Sequence, residues 1–273
     1  MALSPTEELA RRSRISCVTA VHFGKTSHVG SSLSVIDILS VLYGSVAKIS
    51  TENLDDPERD IIIVSKGHAA AGTYSVMANV GIIPTDWLDT YCADGTPLGG
   101  HVTSHSIPGV ELSTGSLGHG LPFGLGLALA AKRTKSPRKI FVVMSDGECD
   151  EGTTWESALL AGHHQLDNVT VAVDRNRLQS LTTTEETLQL EPFADKWRAF
   201  GWEVFDVDGH DHSALATAFS RGGEEDTSGK PRIVICNTTK GKGVSFMENL
   251  VLWHYRPPND EQLQLALKEL SQV

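Results

Sequence analysis

Two apolar runs joined by a helical segment constrain the fold of this chain more than any other feature. The first run covers residues 139–145 and ends at Asp146, and the second covers residues 169–173 and ends at Asp174. The residues between them, 153–166, have a helical pattern, so the three segments form a β-α-β unit with parallel strands. Uninterrupted apolar strands are typical of parallel sheets that are covered on both faces. This unit therefore predicts an α/β fold.

Other segments continue the alternation of strand and helix. Apolar or periodic runs predict strands at residues 61–64, 203–207 and 232–236, helices at 5–26, 35–46, 116–133 and 259–272, and another helix after Gly67-His68. Between these elements we expect a long functional loop at residues 95–120, a polar surface loop at 179–189 and a charged link at 221–230. There is no internal repeat or domain boundary. We therefore predict one domain, residues 1–273, with a doubly wound, mostly parallel sheet and helices on both faces.

Polar residues follow both strands of the β-α-β unit at the same edge of the predicted sheet. Asp146-Gly147 follows the first strand and Asn176 follows the second. Carboxylate and amide oxygens suit Mg²⁺, which usually leaves positions for phosphate and water. Gly147 lets the backbone approach a phosphate, and the helix that begins near Thr153 points its positive end there. Although Asp-Gly alone is a common turn, this spacing predicts a metal-diphosphate site.

The composition limits the classes of partner. A net charge of −11 argues against nucleic acid and against an anionic membrane surface, which both require basic patches. No apolar run reaches the roughly 18 residues of a membrane span, and the amino terminus has no signal-peptide pattern. The four cysteines show no paired spacing. We therefore expect a cytoplasmic protein without a nucleic-acid or membrane partner.

Six short motifs occur in a fixed order along the chain, and together they identify a family. They are Ser27-His28-Val29-Gly30, Ser65-Lys66-Gly67-His68, Gly99-Gly100-His101, the stretch 108–120, Asp146-Gly147 with Glu151-Gly152 and Asn176, and Thr239-Lys240-Gly241-Lys242-Gly243 with Trp253-His254. The fifth resembles the thiamine diphosphate signature. Over essentially its whole length, the chain resembles the amino-terminal, diphosphate-binding domain of the transketolase family.

The resemblance implies two cofactors, thiamine diphosphate and Mg²⁺, for which Ca²⁺ or Mn²⁺ could substitute. The implied metal ligands are Asp146, Asn176 and the Leu178 carbonyl. The implied cofactor contacts are His68, Gly115, Leu117, His119, Gly147, Glu148, Glu151, Asn176 and His254. His28 and His101 match positions that line the substrate channel and act on substrate hydroxyls, so they are the implied catalytic residues.

Two of these contacts have an alternative interpretation. Glu151 corresponds to a carboxylate that meets the activating glutamate of another chain, and its alternative is a charge favoured at a helix amino terminus. His119 lies two residues beyond the loop that contacts the aminopyrimidine, where the family often has Gln or His. A hydrogen-bonding role near the cofactor and a purely structural role both remain open for it.

The chain departs from the family pattern at three places. Ser145 stands where glycine usually precedes the aspartate, and Val29 and Val102 replace prolines after the two channel histidines. Arg175 and the segment 180–182 also differ from the usual sequence around the metal loop. These last differences concern the geometry of that loop rather than its ligands.

The resemblance also implies a partner. The activating glutamate belongs to a pyrimidine-binding domain, which this chain does not contain. We therefore expect an amino-terminal subunit of a split transketolase that is inactive alone. It would assemble as a 2+2 heterotetramer with a carboxyl-terminal transketolase subunit that carries the pyrimidine-binding domain. The expected reaction transfers a two-carbon ketol unit from a ketose, such as a ketose phosphate, to an aldose acceptor.

Three other functions remain as alternatives. A subunit of the same type could serve a specialised two-carbon transferase, in sugar catabolism or in the loading of an acyl carrier. A subunit of a 2-oxoacid dehydrogenase is disfavoured by the set of His28, His68 and His101. A non-catalytic scaffold is disfavoured because Asp146, Asn176 and the four motif histidines are all present.

Overall fold

A five-stranded parallel sheet forms the centre of the molecule. The computed structural model describes residues 3–220 and 229–272, so residues 221–228 of the predicted charged link lie outside the described part. The strands are β1 Ile61–Val64, β2 Ile140–Ser145, β3 Val169–Arg175, β4 Glu203–Asp208 and β5 Arg232–Asn237. Their order across the sheet is β1-β2-β3-β5-β4, and every neighbouring pair is parallel. The predicted α/β fold is confirmed.

Helices cover both faces of this sheet. They are α1 Pro5–Gly24, α2 Val29–Val41, α3 Ala70–Asn79, α4 Gly120–Thr134, α5 Gly152–His163, α6 Thr184–Thr187, α7 Phe193–Ala199, α8 His212–Phe219 and α9 Asp260–Leu270. Short 3₁₀ turns span Thr51–Asn53, Gly67–Ala69, Thr85–Thr90, Gly147–Asp150 and Val251–His254, and a π-helical turn spans Leu42–Val46. Helices α1, α2, α3, α8 and α9 contribute to one apolar layer, and α4, α5 and α7 contribute to the other.

Alternation along the strands assigns side chains to the two layers. Successive residues of a strand point to opposite faces, so Ala172 packs in the layer of α2 while Val173 packs in the layer of α7. The same alternation continues through the last two residues of β3. Asp174 bonds to a side chain of α2, and Arg175 lies over the ring of Phe193 at the start of α7. The last two residues of β3 therefore contact helices on opposite faces of the sheet.

Helix α2 is completely buried and begins earlier than the sequence pattern predicts. We expected a helix from residue 35, but α2 begins at Val29, directly after His28. The small residues Gly30 and Ser31 made its first turn inconspicuous in the sequence. The 18-residue window Val29–Val46 has a mean hydropathy of 1.5, so our statement that no apolar run reaches a membrane span is wrong. Because 83% of that window is buried inside the protein, it packs as a core helix.

Three helices in the second half of the chain, including the four-residue α6 inside the predicted loop 179–189, escaped the sequence pattern because they are short. Helix α7 has seven residues and α8 has eight, which gives an apolar period little room to repeat. Asp211 caps α8 by accepting bonds from the Ser213 and Ala214 amides at 2.9 and 3.0 Å. Such a cap is a start signal that the sequence does contain.

Candidate active site

A cavity of about 220 Å³ opens at the carboxyl ends of β1, β2 and β3. Ligands of open α/β sheets bind at this edge, where loops from several strands converge. The cavity is lined by His28, Ser31, Lys66, His68, His101, Gly115, Leu117, Ser145, Asp146, Gly147, Asn176, Leu178, Gln179, Ser180, Lys240 and His254. It therefore contains residues from all six motifs of the sequence.

Four histidines that are distant in sequence form one cluster in this cavity. The ring of His28 lies 5.4 Å from that of His68, 5.5 Å from that of His101 and 4.9 Å from that of His254, measured between centroids. The rings of His68 and His254 are 5.6 Å apart. Each comes from a different loop, so the fold alone assembles the cluster. It places a group of ring nitrogens along one wall of the cavity.

The backbone of His28 adopts an unusual conformation that starts α2. Its φ of 72° is left-handed, and its amide donates to the His254 carbonyl at 2.9 Å. This bond ties the first turn of α2 to the turn that carries His254. Burial, together with the neighbouring His101 and Lys240, lowers the pKa of His28 to about 4. Its imidazole is therefore neutral near pH 7 and can both donate and accept a hydrogen bond.

The other buried histidines of the cluster are neutral for the same reason. Burial, and then the charge of Lys240, lowers the pKa of His254 to about 3. Burial and the charge of Lys66 hold the pKa of His68 well below its usual value. Neutral rings cost less to bury than imidazolium ions. The positively charged side chains that line this cavity are therefore its two lysines, Lys66 and Lys240.

His101 stands on the open side of the cavity, on the long loop predicted at residues 95–120. The loop is fastened to β1, because Val102 donates to the Gly67 carbonyl at 3.0 Å and the Thr114 hydroxyl donates to the Val64 carbonyl at 2.7 Å. A β-carbon at Gly115, whose φ is 151°, would lie 2.9 Å from the His101 ring. Only glycine fits this close approach. In the isolated chain His101 is exposed.

The predicted metal ligands lie together at the inner end of the cavity. The Asp146 carboxylate accepts bonds from the Arg177 amide at 2.6 Å and the Gly147 amide at 2.8 Å. The Asn176 side-chain oxygen accepts from the Leu178 amide at 3.0 Å. Burial, and then the charge of Asp174, raises the pKa of Asp146, and Arg175 opposes that effect. Three kinds of oxygen ligand (carboxylate, amide and carbonyl) are thus available on one wall.

Two lysines supply the positive charge of the site. The Lys66 ammonium is fully buried and bonds to Asp174, to the Ser31 carbonyl at 2.9 Å and to the Ser34 hydroxyl at 3.2 Å. The Lys240 ammonium donates to the carbonyls of Leu178 and Gln179 at 3.1 and 3.0 Å. Burial, and then the charge of Lys66, lowers the pKa of Lys240 to about 8. Lys240 therefore holds the carbonyl of a predicted metal ligand.

Three predicted cofactor contacts do not line the cavity. Glu148 is completely buried behind it, where it accepts bonds from the Ser65 hydroxyl and, at 2.9 Å, from the Gly118 amide. It therefore supports the loop that carries Leu117 rather than facing the cavity. Burial raises its pKa. Glu151 and His119 are exposed on the outer surface of this chain.

Six cavity residues were not assigned a role from the sequence. They are Ser31, Lys66, Ser145, Gln179, Ser180 and Lys240. Lys66 and Lys240 lie inside quoted motifs beside glycines, so a positively charged residue flanked by glycine was the available signal. Ser31, three residues after His28, follows from the first turn of α2, which the sequence pattern did not reveal. Gln179 and Ser180 follow Leu178 directly and carried no signal of their own.

The residues of the cavity fit an anionic cofactor held through a hard metal ion. The Lys240 ammonium, the ring nitrogens of His68 and His254 and the backbone around Gly147 are suited to a diphosphate, whereas the charge of Lys66 is paired with Asp174. The Ser145 hydroxyl is buried beside them and has no hydrogen-bond partner among the described residues, so a ligand oxygen could satisfy it. In the described residues no three His, Cys, Asp or Glu side chains cluster as a metal site. A metal would thus rely on amide, carbonyl and ligand oxygens besides Asp146.

Comparison with known proteins agrees with this geometry. Residues 6–271 match the family described as transketolase, thiamine diphosphate binding domain. The chain is 46% identical over 244 residues to an apulose-4-phosphate transketolase subunit of Actinobacillus succinogenes, covering 89% of this chain and 87% of that protein. It is 38% identical over 256 residues to the 6-deoxy-6-sulfo-D-fructose transketolase subunit SqwG of a Clostridium species, covering 93% and 92%.

Solved structures show the same fold inside longer chains. The transketolase of Campylobacter jejuni superposes with a TM-score of 0.89 at 28% sequence identity. The superposition covers 99% of this chain but 43% of the Campylobacter chain. This chain therefore spans less than half of that transketolase, whereas it spans most of the two relatives that are named as subunits.

Proposed function

The chain belongs to the transketolase family as its thiamine diphosphate-binding domain, and we propose that it is the diphosphate-binding subunit of a two-subunit transketolase. Its partner would be a carboxyl-terminal transketolase subunit with the pyrimidine-binding domain, in a 2+2 heterotetramer. Mg²⁺ would link the diphosphate to the protein. The observation that carries this proposal is a cavity that combines four histidines, two lysines and the oxygens of Asp146 and Asn176.

Each part of the cavity would have its own task. Asp146, Asn176 and the Leu178 carbonyl would hold the metal, and Lys240, His68 and His254 would hold the diphosphate. Thiamine diphosphate supplies a carbon nucleophile that cleaves and re-forms carbon–carbon bonds. His28 and His101 would hold the hydroxyl groups of the sugar and move protons between them, which neutral imidazole does well because it both donates and accepts.

The substrate class follows from the relatives and from the open side of the cavity. One relative is named for apulose-4-phosphate and another for 6-deoxy-6-sulfo-D-fructose, and both names describe ketoses with an anionic group. We propose a ketose phosphate as the donor and an aldose as the acceptor. Because this chain has a net charge of −11, the partner is the better source of the cations that would bind the substrate phosphate.

The proposal predicts that the pure chain has no transketolase activity and gains it with its partner. The tagged chain would be purified from its own host, every co-purifying polypeptide identified, and the native mass measured. Two-carbon transfer from apulose-4-phosphate and from other ketose phosphates would then be assayed with and without the companion. A companion of roughly 300 residues, a typical size for a subunit that carries a pyrimidine-binding domain, is expected. Activity of the chain alone, or a companion bound without any activity, would contradict the proposal.

Replacing either channel histidine should lower turnover without loss of the cofactor. We expect His28→Ala and His101→Ala to reduce kcat by about 10²- to 10⁴-fold, the usual contribution of a positioned acid or base. Calorimetry with thiamine diphosphate should give affinities close to that of the unmodified complex. His105→Ala is the matched control, because His105 is exposed on the same loop outside the cavity. His28→Asn tests the backbone separately, since Asn tolerates the left-handed conformation. If the variants instead lost affinity for thiamine diphosphate and kept their kcat, both histidines would bind the cofactor rather than act on the substrate.

A further inference from the structure

Arg175, where this chain departs from its family, contacts both the metal-site carboxylate and the loop that follows it. Its side chain is 2% exposed, although it carries a permanent positive charge. One guanidinium nitrogen, Nη1, lies 3.5 Å from the Asp146 carboxylate and donates to the Thr184 hydroxyl at 2.8 Å. The other, Nη2, donates to Glu191 at 3.0 Å. A buried cation is retained only with such partners, because its desolvation is costly.

The partners of Arg175 lie on both sides of the metal site. Asp146 follows β2, whereas Thr184 and Glu191 belong to the segment 177–191, which follows β3. Between them the segment turns back on itself, because Leu178 pairs with Thr183 in an antiparallel bridge. The Thr184 amide also donates to the Arg177 carbonyl at 3.0 Å. Arg175 thus joins the base of this turn to the carboxylate across the site.

The segment that Arg175 holds carries the rest of the predicted metal site. Leu178 in the segment and Asn176 directly before it provide two of the three predicted ligands, and Gln179 and Ser180 line the cavity. The tip of the segment is held separately, because the Gln179 side chain donates to Asp150 at 2.7 Å and Lys240 holds two of its carbonyls. Glu185, nearer the base, accepts from Arg175 at 3.3 Å. The side chains of the returning half, residues 184–191, are therefore joined to the metal site by one guanidinium, in addition to the backbone bond between Thr184 and Arg177.

We propose that Arg175 is a positioning residue for metal binding, which fixes the segment 177–191 beside Asp146 before the metal arrives. This inference rests on the proposed function, because it concerns the same site. Arg175 does not line the cavity, so it would not itself bind the metal or the diphosphate. Its effect is to hold the amide and carbonyl ligands in register with the carboxylate. Outer contacts of this kind typically change metal affinity by 10- to 100-fold.

The test compares Arg175→Met, which keeps an unbranched apolar stem but removes the guanidinium and its donors, with Arg175→Lys and with Arg198→Met. Arg198 is the matched control, because it is an arginine on α7 whose ion pair with Asp195 lies on the surface. Two measurements apply to the full chain in its complex: the Mg²⁺ concentration that half-saturates thiamine diphosphate binding, and amide hydrogen exchange of residues 177–191 without metal or cofactor.

For Arg175→Met we expect the half-saturating Mg²⁺ concentration to rise about tenfold or more, with the same cofactor stoichiometry at saturating Mg²⁺. Exchange should accelerate in residues 177–191 and stay unchanged in α2. Arg175→Lys keeps the positive charge and should recover only part of the Mg²⁺ affinity, because an ammonium cannot span Asp146, Thr184 and Glu191 together. A merely structural role would lower stability without moving the Mg²⁺ dependence.

Unchanged Mg²⁺ dependence and unchanged exchange in Arg175→Met would overturn the inference. If that variant fails to fold, Thr184→Val and Glu191→Gln remove the same contacts from the loop side and should reproduce the shift. Failure of the unmodified complex to bind thiamine diphosphate at any Mg²⁺ concentration would reject the proposed function. The exchange measurement would still decide whether Arg175 holds the loop.

Discussion

Asp146→Ala should abolish metal-dependent binding of thiamine diphosphate. Asp146 is 1% exposed and is the one carboxylate among the three predicted ligands, so the metal would lose its only negative protein oxygen. The expected loss of cofactor affinity is about 100-fold or more, beyond the effect of changing an outer contact. This loss of affinity is measured by calorimetric titration of thiamine diphosphate into the complex, at saturating Mg²⁺ and again in the presence of a chelator.

Two further variants separate the charge of Asp146 from its local bonds. The carboxylate accepts from the Arg177 and Gly147 amides, and Asp146→Asn keeps an acceptor for them while removing the charge. We expect its cofactor affinity to fall nearly as far as that of Asp146→Ala, with a smaller loss of stability. Asp195→Ala, on the surface of α7, is the control. If Asp146→Ala bound the cofactor with its Mg²⁺ dependence intact, the metal would have to lie elsewhere.

The parts of the fold that the sequence predicted are those with a strong local signal. Strands β1, β2 and β5 are apolar almost throughout, and a short uninterrupted apolar run next to a polar turn is typical of a buried parallel strand. The predicted second strand of the β-α-β unit ended at residue 173, whereas β3 continues to Arg175. Its last residues are charged, and only the partners supplied by other elements allow them to stay in the sheet. Because Asp174 and Arg175 are charged, the apolar run in the sequence ends two residues before the buried strand does.

The same reasoning accounts for which site residues could be found. His28, His68, His101 and His254 stand in short motifs, so each was recognisable by itself, and the structure brings their rings together. Lys66 and Lys240 were visible in the same motifs, but their role depends on contacts that no local pattern contains. Lys66 meets Asp174, which lies 108 positions away in the sequence. Glu148 shows the opposite case: the family resemblance implied a cofactor contact, but its turn directs it behind the cavity, where it accepts from the Gly118 amide.

Breaking the buried ion pair of Lys66 and Asp174 should destabilise the protein more than breaking any other charged pair near the site. Their side chains are 1% and 0% exposed. Asp174 also accepts from the hydroxyls of Thr238 and, at 2.6 Å, Ser34. Although burial alone would raise the pKa of Asp174, the charge of Lys66 lowers it. Asp174 is therefore ionised in the folded protein at neutral pH, and it faces the Lys66 ammonium as a carboxylate.

Removing one partner should cost much more than removing both. Asp174→Asn leaves the Lys66 ammonium buried without its counter-ion, for which we expect about 3–5 kcal/mol of destabilisation. Lys66→Met leaves a carboxylate with two hydroxyl donors and should cost a similar amount. In the double variant Lys66→Met/Asp174→Asn neither charge of the pair remains. Its loss of unfolding free energy should therefore be clearly smaller than the sum of the two single losses. Urea unfolding of all four proteins gives the coupling free energy.

This pair also connects stability to the cofactor site. The Lys66 ammonium holds the Ser31 carbonyl at 2.9 Å, and Ser31 lines the cavity in the first turn of α2. The double variant should therefore fold with most of its stability but bind thiamine diphosphate more weakly, because the bond that anchors the first turn of α2 is lost. Lys132→Met, which breaks an exposed pair with Asp167, should change neither property measurably. If the two single losses simply add up in the double variant, each charge is stabilised independently by its hydroxyl and carbonyl partners. The ion pair would then not be what holds α2 against β3.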